Sequence, residues 1–283
     1  MLGLVAQLVS SLSFGISNVI WKAPLERAPQ IVIIFWRTII TCVLFSLLLA
    51  FSQQSVFDFK MTMAAWALSS LSFGGLFFFT KALKYENAGI VSTITSFSYL
   101  VGVITSVIIL GETINSAHAL SLCLFVLSTA LLSHVKGKFK LTKGIAFAFI
   151  AALIWGTTLT LMSIPSKAIG FIQSSFITEI SVVLICALVV FSKRGKLVLL
   201  KPLEAELKSI LFLAGLTFIG LISMYFAFGK IEAYKVVLAS SLTHLVSIIF
   251  SRIINKEQIT PRLISAGILS SLGILIFAFD ELG

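Results

Sequence analysis

Ten runs of about twenty predominantly apolar residues follow one another along this chain, near residues 2–21, 30–51, 62–80, 88–110, 115–133, 143–164, 171–191, 208–229, 235–254 and 261–279. At a rise of about 1.5 Å per helical residue, each is long enough to cross the roughly 30 Å hydrocarbon core of a bilayer. Backbone polar groups find no water there, so helices are the expected spanning form for runs of this length. The expected class is therefore an all-α integral membrane protein with ten transmembrane helices.

Composition agrees: 58% of residues are apolar and 11% charged, with a mean hydropathy of +1.10, against about 25% charged in soluble domains. The net charge of +10 does not point to nucleic acid, because the basic residues sit in short gaps between apolar runs, where they orient spans. Cys42, Cys123 and Cys186 each fall inside an apolar run with no second cysteine nearby, so neither a disulfide framework nor a thiolate metal site is expected. The opening "MLGLVAQLVSSLSFGISNVIW" lacks a basic leader region and reads as a span rather than a cleaved signal.

The chain repeats itself. "SYLVGVITSVIILGE", Ser98 to Glu112, and "THLVSIIFSRIINKE", Thr243 to Glu257, match at a spacing of 145 through Leu100/Leu245, Val101/Val246, Ile104/Ile249, Ser106/Ser251, Ile108/Ile253, Ile109/Ile254 and Glu112/Glu257. "FG" at Phe14-Gly15 lies 141 residues before "WG" at Trp155-Gly156, and Ala82 and Ala88 meet Ala227 and Ala233 at the spacing of 145. Ten runs then divide into two halves of five, residues 1–134 and 143–283, joined by a basic linker at 135–142 within "HVKGKFKLTKG". Because five is odd, the second copy enters the membrane from the opposite face. The expectation is two inverted five-helix repeats, an arrangement common among secondary transporters.

The paired openings "FGISNVIWK" and "WGTTLTLMS" and the span ends "ILGETIN" and "INKEQIT" resemble the EamA-like families of the drug/metabolite transporter superfamily, over nearly the whole chain. The resemblance implies ten helices, a central cavity between the halves, and transport of metabolites, amino acids or drugs. Families of this kind commonly carry a proline thirteen residues before the span-end Glu. This chain has Tyr99 and His244 there, which leaves helix bending at those places without its usual cause.

Orientation follows from loop charge. One side carries Lys22, Arg27, Lys81, Lys84, Lys136, Lys138, Lys193, Arg194, Arg252 and Lys256 among others, and the other side Lys60, Lys167, Lys230 and Lys235. The positive-inside rule makes the richer side cytoplasmic and puts both termini outside; the resemblance implies both inside. The expected location is the cell membrane, the inner membrane for a bacterial source.

Charges deep in hydrocarbon cost at least about 2.5–3.5 kcal/mol, so they are expected to face a partner or a wet cavity. Arg37 in "IVIIFWRTII" and Glu179 in "FITEISVVL" lie roughly 10 and 12 Å into their runs. At the spacing of 141 Arg37 aligns with Thr178, the neighbour of Glu179, so both charges fall near mid-membrane. Arg37 has the planar fork that grips a carboxylate or phosphate, and Glu179 suits an ammonium or an exchangeable proton. The competing readings are that Arg37 snorkels and that Glu179 caps a helix or pairs internally. His244 stands inside a span with Tyr99 as its repeat partner, and serves as a ligand or proton relay, or simply as a hydrogen-bonded core residue. Trp155 and Tyr225 complete the expected substrate-binding set of Arg37, Tyr99, Trp155, Glu179, Tyr225 and His244. Glu112 and Glu257, at span ends, read as caps or interfacial acceptors.

An enzyme would need a catalytic constellation, and no H-E-x-x-H, G-x-S-x-G or metal-spaced His/Cys set occurs; a primary pump would need G-x-x-x-x-G-K-[ST], also missing. A channel would more often show an oligomeric pore motif. The expected function is a secondary transporter of a small organic solute, amino-acid-like, metabolite or drug, proton-coupled or an exchanger. It would work by alternating access without a cofactor, as a monomer or weak dimer, with solute and membrane lipid as its partners. The alternative is a translocase of a lipid or lipid-linked headgroup, with Arg37 on the phosphate.

Overall fold

The structure, a computed structural model, describes residues 1–52, 57–135, 138–139, 142–192, 200–258 and 260–282. The basic stretch 193–199, and residues 136–137 and 140–141 of the linker between the halves, lie outside the described residues. The chain is built from helices: α1 (Leu2–Ile20), α2 (Lys22–Arg27), α3 (Gln30–Phe51), α4 (Phe59–Ala82), α5 (Ala88–Thr95), α6 (Phe97–Thr105), α7 (Ser116–Ser133), α8 (Lys143–Leu161), α9 (Ser163–Ile169), α10 (Phe171–Ser192), α11 (Leu200–Phe228), α12 (Ala233–Ala239), α13 (Leu242–Ile254) and α14 (Pro261–Leu282). A π-helical turn, Ser106–Leu110, continues α6. Two-residue strands β1 (His134–Val135) and β2 (Lys138–Phe139) pair antiparallel.

Among the described residues, eight segments are long and apolar enough to cross a membrane: Leu2–Arg27, Gln30–Phe51, Phe59–Ala82, Ala88–Leu110, Lys143–Ile169, Phe171–Val190, Glu206–Phe228 and Ala233–Ile254. Two shorter apolar helices, Ser116–Ser128 and Ile264–Gly273, lie where the fifth and tenth runs were expected.

The first and sixth runs extend past their expected ends into α2 and α9. Each is interrupted at one residue, Trp21 and Met162. The cause is local: Pro24 and Pro165 stand three residues on, and a proline inside a helix has no N–H and crowds the carbonyl four residues back. The fourth and ninth runs also break, α5 from α6 at Ser96 and α12 from α13 at Ser240–Ser241, with no proline nearby. Single-turn bonds replace helical ones there, Tyr99 N–H to Ser96 O and Thr243 N–H to Ser240 O, both 2.9 Å. Hydroxyls share carbonyls that also take a backbone N–H: Ser96 Oγ donates to Thr93 O at 2.5 Å and Ser240 Oγ to Val236 O at 2.8 Å. Such back-bonding bends helices. The helices thus break near Tyr99 and His244 without a proline, at serines.

Each end of these broken helices is tied to the other. Gly111 and Lys256 take left-handed φ values of 70° and 53° and turn the chain so that the next residue points back. Glu112 accepts from the Ala233 and Tyr234 N–H groups at 2.8 and 2.9 Å, at the start of α12. Glu257 accepts from Ala88 and Gly89 at 3.1 and 3.4 Å, at the start of α5. A carboxylate at a helix N-terminus satisfies orphan donors and complements the helix dipole. Each glutamate therefore caps the helix whose far end supplies the other. Lys22 Nζ adds an ion pair to Glu257 at 2.7 Å, and Ser106 Oγ donates to Glu112.

The principal helix contacts join one half of the sequence to the other: α1 on α11 and α13, α8 on α4 and α6, α3 on α10, and α7 on α14. Two glycines stand at close crossings between the halves. A Cβ on Gly15 would lie 2.5 Å from Val246 Cβ, and one on Gly156 2.5 Å from Val101 Cβ. Small residues at such points let backbones approach where no hydrophobic force drives helices together.

Candidate functional site

Arg37 sits seven residues into α3 and Glu179 eight into α10, and because α3 packs on α10 the two meet. Arg37 Nη1 donates to both Glu179 carboxylate oxygens, at 2.9 and 2.8 Å, and both side chains are 3% exposed. The guanidinium carbon lies 5.8 Å from the Trp21 ring centroid, a cation–π distance. Arg37 Nε is buried with no partner. The snorkelling alternative does not describe this arginine. Its charge is held inside, where an opposite charge limits the cost of keeping both from water.

The pair forms part of the wall of a central cavity of about 200 Å³. Tyr99 from α6 and Trp155 from α8 join Arg37 and Glu179 on this wall. Trp155 is fixed by its indole N–H, which donates to Ser72 O at 3.2 Å. Gly75 lies under it, where a Cβ would come within 2.5 Å of the ring. Phe79 lies against it with the ring centroids 5.3 Å apart and the planes tilted by 40°. Serines and threonines supply much of the remaining polarity, Thr178 and Ser69 among them, bonded to each other at 3.2 Å. The wall thus combines one internally neutral ion pair, aromatic faces and short hydroxyls, a lining suited to an amphipathic solute.

The other two expected residues stand behind the wall. Tyr225 is 1% exposed; its hydroxyl meets Thr178 Oγ1 at 2.8 Å, so it braces a wall residue. His244 is 1% exposed and turns the other way: its Nε2 meets Ser270 Oγ at 2.6 Å, and Ser270 donates to Ser128 at 2.8 Å. That chain joins α13 to α14 and α7. His244 and Tyr99 keep their rings 6.4 Å apart, with Tyr99 alone on the cavity side. A helix in a bilayer has three environments, lipid, neighbouring helix and cavity, and two of them are apolar, so apolar periodicity does not separate the three. Gln7 lines the cavity too and was missed from the sequence. Its signal was available: it is an amide in the middle of an otherwise apolar first run, and a polar residue at that depth needs a partner.

The profile of the EamA-like transporter family matches residues 1–134 and 142–279, two segments that meet in the linker. A search of curated proteins finds no match. One solved crystal structure is similar to this chain with a TM-score of 0.68 at 16% identity, over 94% of this chain and 95% of its own; at that identity the likeness concerns the fold alone. Family match, apolar spans and an internal cavity agree: this multi-pass membrane protein belongs to the EamA-like transporter family.

Proposed function

We propose that the protein is a secondary carrier of small organic solutes. It is built as ten spans in two inverted five-helix repeats, 1–134 and 143–283, with 135–142 as linker, and opens the cavity alternately to either side. The inverted arrangement is supported by features that recur at the repeat spacings: the interruptions at Trp21 and Met162, the breaks at Ser96 and Ser241, the left-handed Gly111 and Lys256, and the reciprocal caps of Glu112 and Glu257. The two proline-interrupted and two serine-broken helices, with close crossings at Gly15 and Gly156, are the elements on which the halves would rock.

The Arg37–Glu179 pair on the cavity wall carries the reading of the substrate. An anion that took Arg37 for itself would leave Glu179 buried and unpaired, a loss of about 3–5 kcal/mol, and a lone cation would do the same to Arg37. A zwitterion replaces both bonds at once, its carboxylate on Arg37 and its ammonium on Glu179, and leaves the net charge of the cavity unchanged. An amino-acid-like solute therefore fits best, ahead of other metabolites or drugs. The lipid-headgroup alternative is disfavoured by an arginine that is 3% exposed rather than turned to the interface.

The test is counterflow of a labelled amino-acid panel in proteoliposomes with Arg37→Met, Glu179→Leu and the double variant. Either single variant should lose about 3–5 kcal/mol of stability, and the double variant should recover most of it. The double variant should nonetheless carry no solute. Normal transport by that well-folded double variant would make the pair structural and remove the zwitterion reading.

A further inference from the structure

Where α1 crosses the break between α12 and α13, the two halves of the chain differ in a way that packing does not require. Gln7, Ser10 and Ser11 share one face of α1 by their spacing, and all three are at most 1% exposed. Gln7 Nε2 donates to Ser240 Oγ at 2.8 Å and to Ser11 Oγ at 3.3 Å. Those hydroxyls have already committed their only hydrogens, Ser240 to Val236 O at 2.8 Å and Ser11 to Ala239 O at 3.2 Å. Both must accept from Gln7, which fixes the amide with its NH₂ towards them and its oxygen away. That oxygen, Gln7 Oε1, is buried with no partner, and so are Ser10 Oγ and Ser241 Oγ. Serines elsewhere in the spans, such as Ser13, Ser46 and Ser181, donate to the carbonyl four residues back; Ser10 and Ser241 do not.

The other half supplies an internal control. At the repeat spacing of 141, Gln7, Ser10 and Ser11 correspond to Ala148, Ala151 and Ala152, each fully buried. The matching break there is satisfied within itself, Thr95 Oγ1 donating to Val91 O at 2.9 Å and Ser96 Oγ to Thr93 O at 2.5 Å. Three alanines therefore suffice to close this crossing. Three unpaired oxygens in its counterpart, each costing about 1–3 kcal/mol if left so, call for a ligand.

We propose that Gln7 Oε1, Ser10 Oγ and Ser241 Oγ form a binding site for a monovalent alkali cation, sodium, beside the central cavity. Gln7 and Ser11 bond the C-terminal end of α12 at Ser240 and Ala239, and Ser241 follows it in the chain; helix carbonyls at such an end carry partial negative charge, and hydroxyl and amide oxygens at broken helices are suited to hard cations. They are neutral, and no group of three His, Cys, Asp or Glu is gathered among the described residues. That favours a single positive charge over a divalent or transition ion. Gln7 and Ser240 also line the cavity, which gives the ion its path and, if the carrier reading holds, couples it to the solute.

The test reads binding on the resting protein, so it stands or falls apart from transport. Thermal unfolding of the purified full-length protein is followed by tryptophan fluorescence, with choline chloride replaced at constant ionic strength by sodium, potassium, lithium or methylammonium chloride. Sodium at about ten times its Kd should raise Tm by about 3 °C, with a smaller response to the other ions. The triple variant Gln7→Ala, Ser10→Ala, Ser11→Ala copies the face the other half already packs, and should unfold in choline no earlier than the parent while losing the sodium response. Ser241→Ala should shift the sodium midpoint to higher concentration. No response in the parent, an equal response to every salt, a response to methylammonium alone, or a sodium response that persists in the triple variant would each overturn the proposal; the last would leave these oxygens to ordered water.

Discussion

Removing the Glu112 carboxylate with Glu112→Ala should unfasten one of the two reciprocal caps while leaving the other intact. Two bonds to the N-terminus of α12, at 2.8 and 2.9 Å, would be lost. Each charge-assisted bond is worth about 1.5–3 kcal/mol when buried. Glu112 is half-buried, however, and water can reach part of the site, which brings the sum towards the helix-cap range of about 1–2 kcal/mol, with about 0.3–1 kcal/mol more from the dipole. A loss of about 2 kcal/mol is expected, and about half of that for Glu112→Gln, which keeps one acceptor oxygen. The specific readout is hydrogen exchange at the Ala233 and Tyr234 amides, which should quicken by about 30-fold for 2 kcal/mol of local opening. Glu257→Ala should do the same at Ala88 and Gly89. The two ends of the broken helix lie some 34 Å apart at 1.5 Å per residue, so the double variant should show the sum of the two losses. Unchanged exchange at Ala233 and Tyr234 in Glu112→Ala would refute the argument that the carboxylate, rather than packing, fastens the start of α12.

Gly156→Ala would bring its Cβ within 2.6 Å of Ser98 O as well as 2.5 Å of Val101 Cβ. It should cost about 1–3 kcal/mol by forcing α6 and α8 apart, and Gly15→Ala should match it at the α1–α13 crossing. Gly267→Ala, with its nearest neighbour 3.7 Å away, is the control expected to leave thermal unfolding unchanged. A reporter fused after residue 283 should be active outside the cytoplasm if the loop lysines set orientation; cytoplasmic activity of an intact fusion would show that the termini face inward.

Hydrophobic length is a local property, and it was enough for the membrane class and for the placing of the apolar runs. The doubled span end was legible for a similar reason: Gly111 and Lys256 must turn the chain so that Glu112 and Glu257 can point back, and that demand falls on a short, contiguous motif. Arg37 and Glu179 stood out because a charge at that depth has few uses. Their pairing was a tertiary matter, decided by the packing of α3 on α10, 142 residues apart in sequence. The breaks at Ser96 and Ser240–Ser241 escaped a reading that looked for proline, since serines such as Ser13 and Ser46 make the same back-bonds in unbroken helices. The division of the candidate residues, with Tyr99 and Trp155 on the wall and Tyr225 and His244 behind it, was equally hidden. Lipid and protein interior are both apolar, so the sequence of a spanning helix says that it is buried without saying which of its faces meets lipid, which meets protein and which meets the cavity. Only the contacts between helices separate the three.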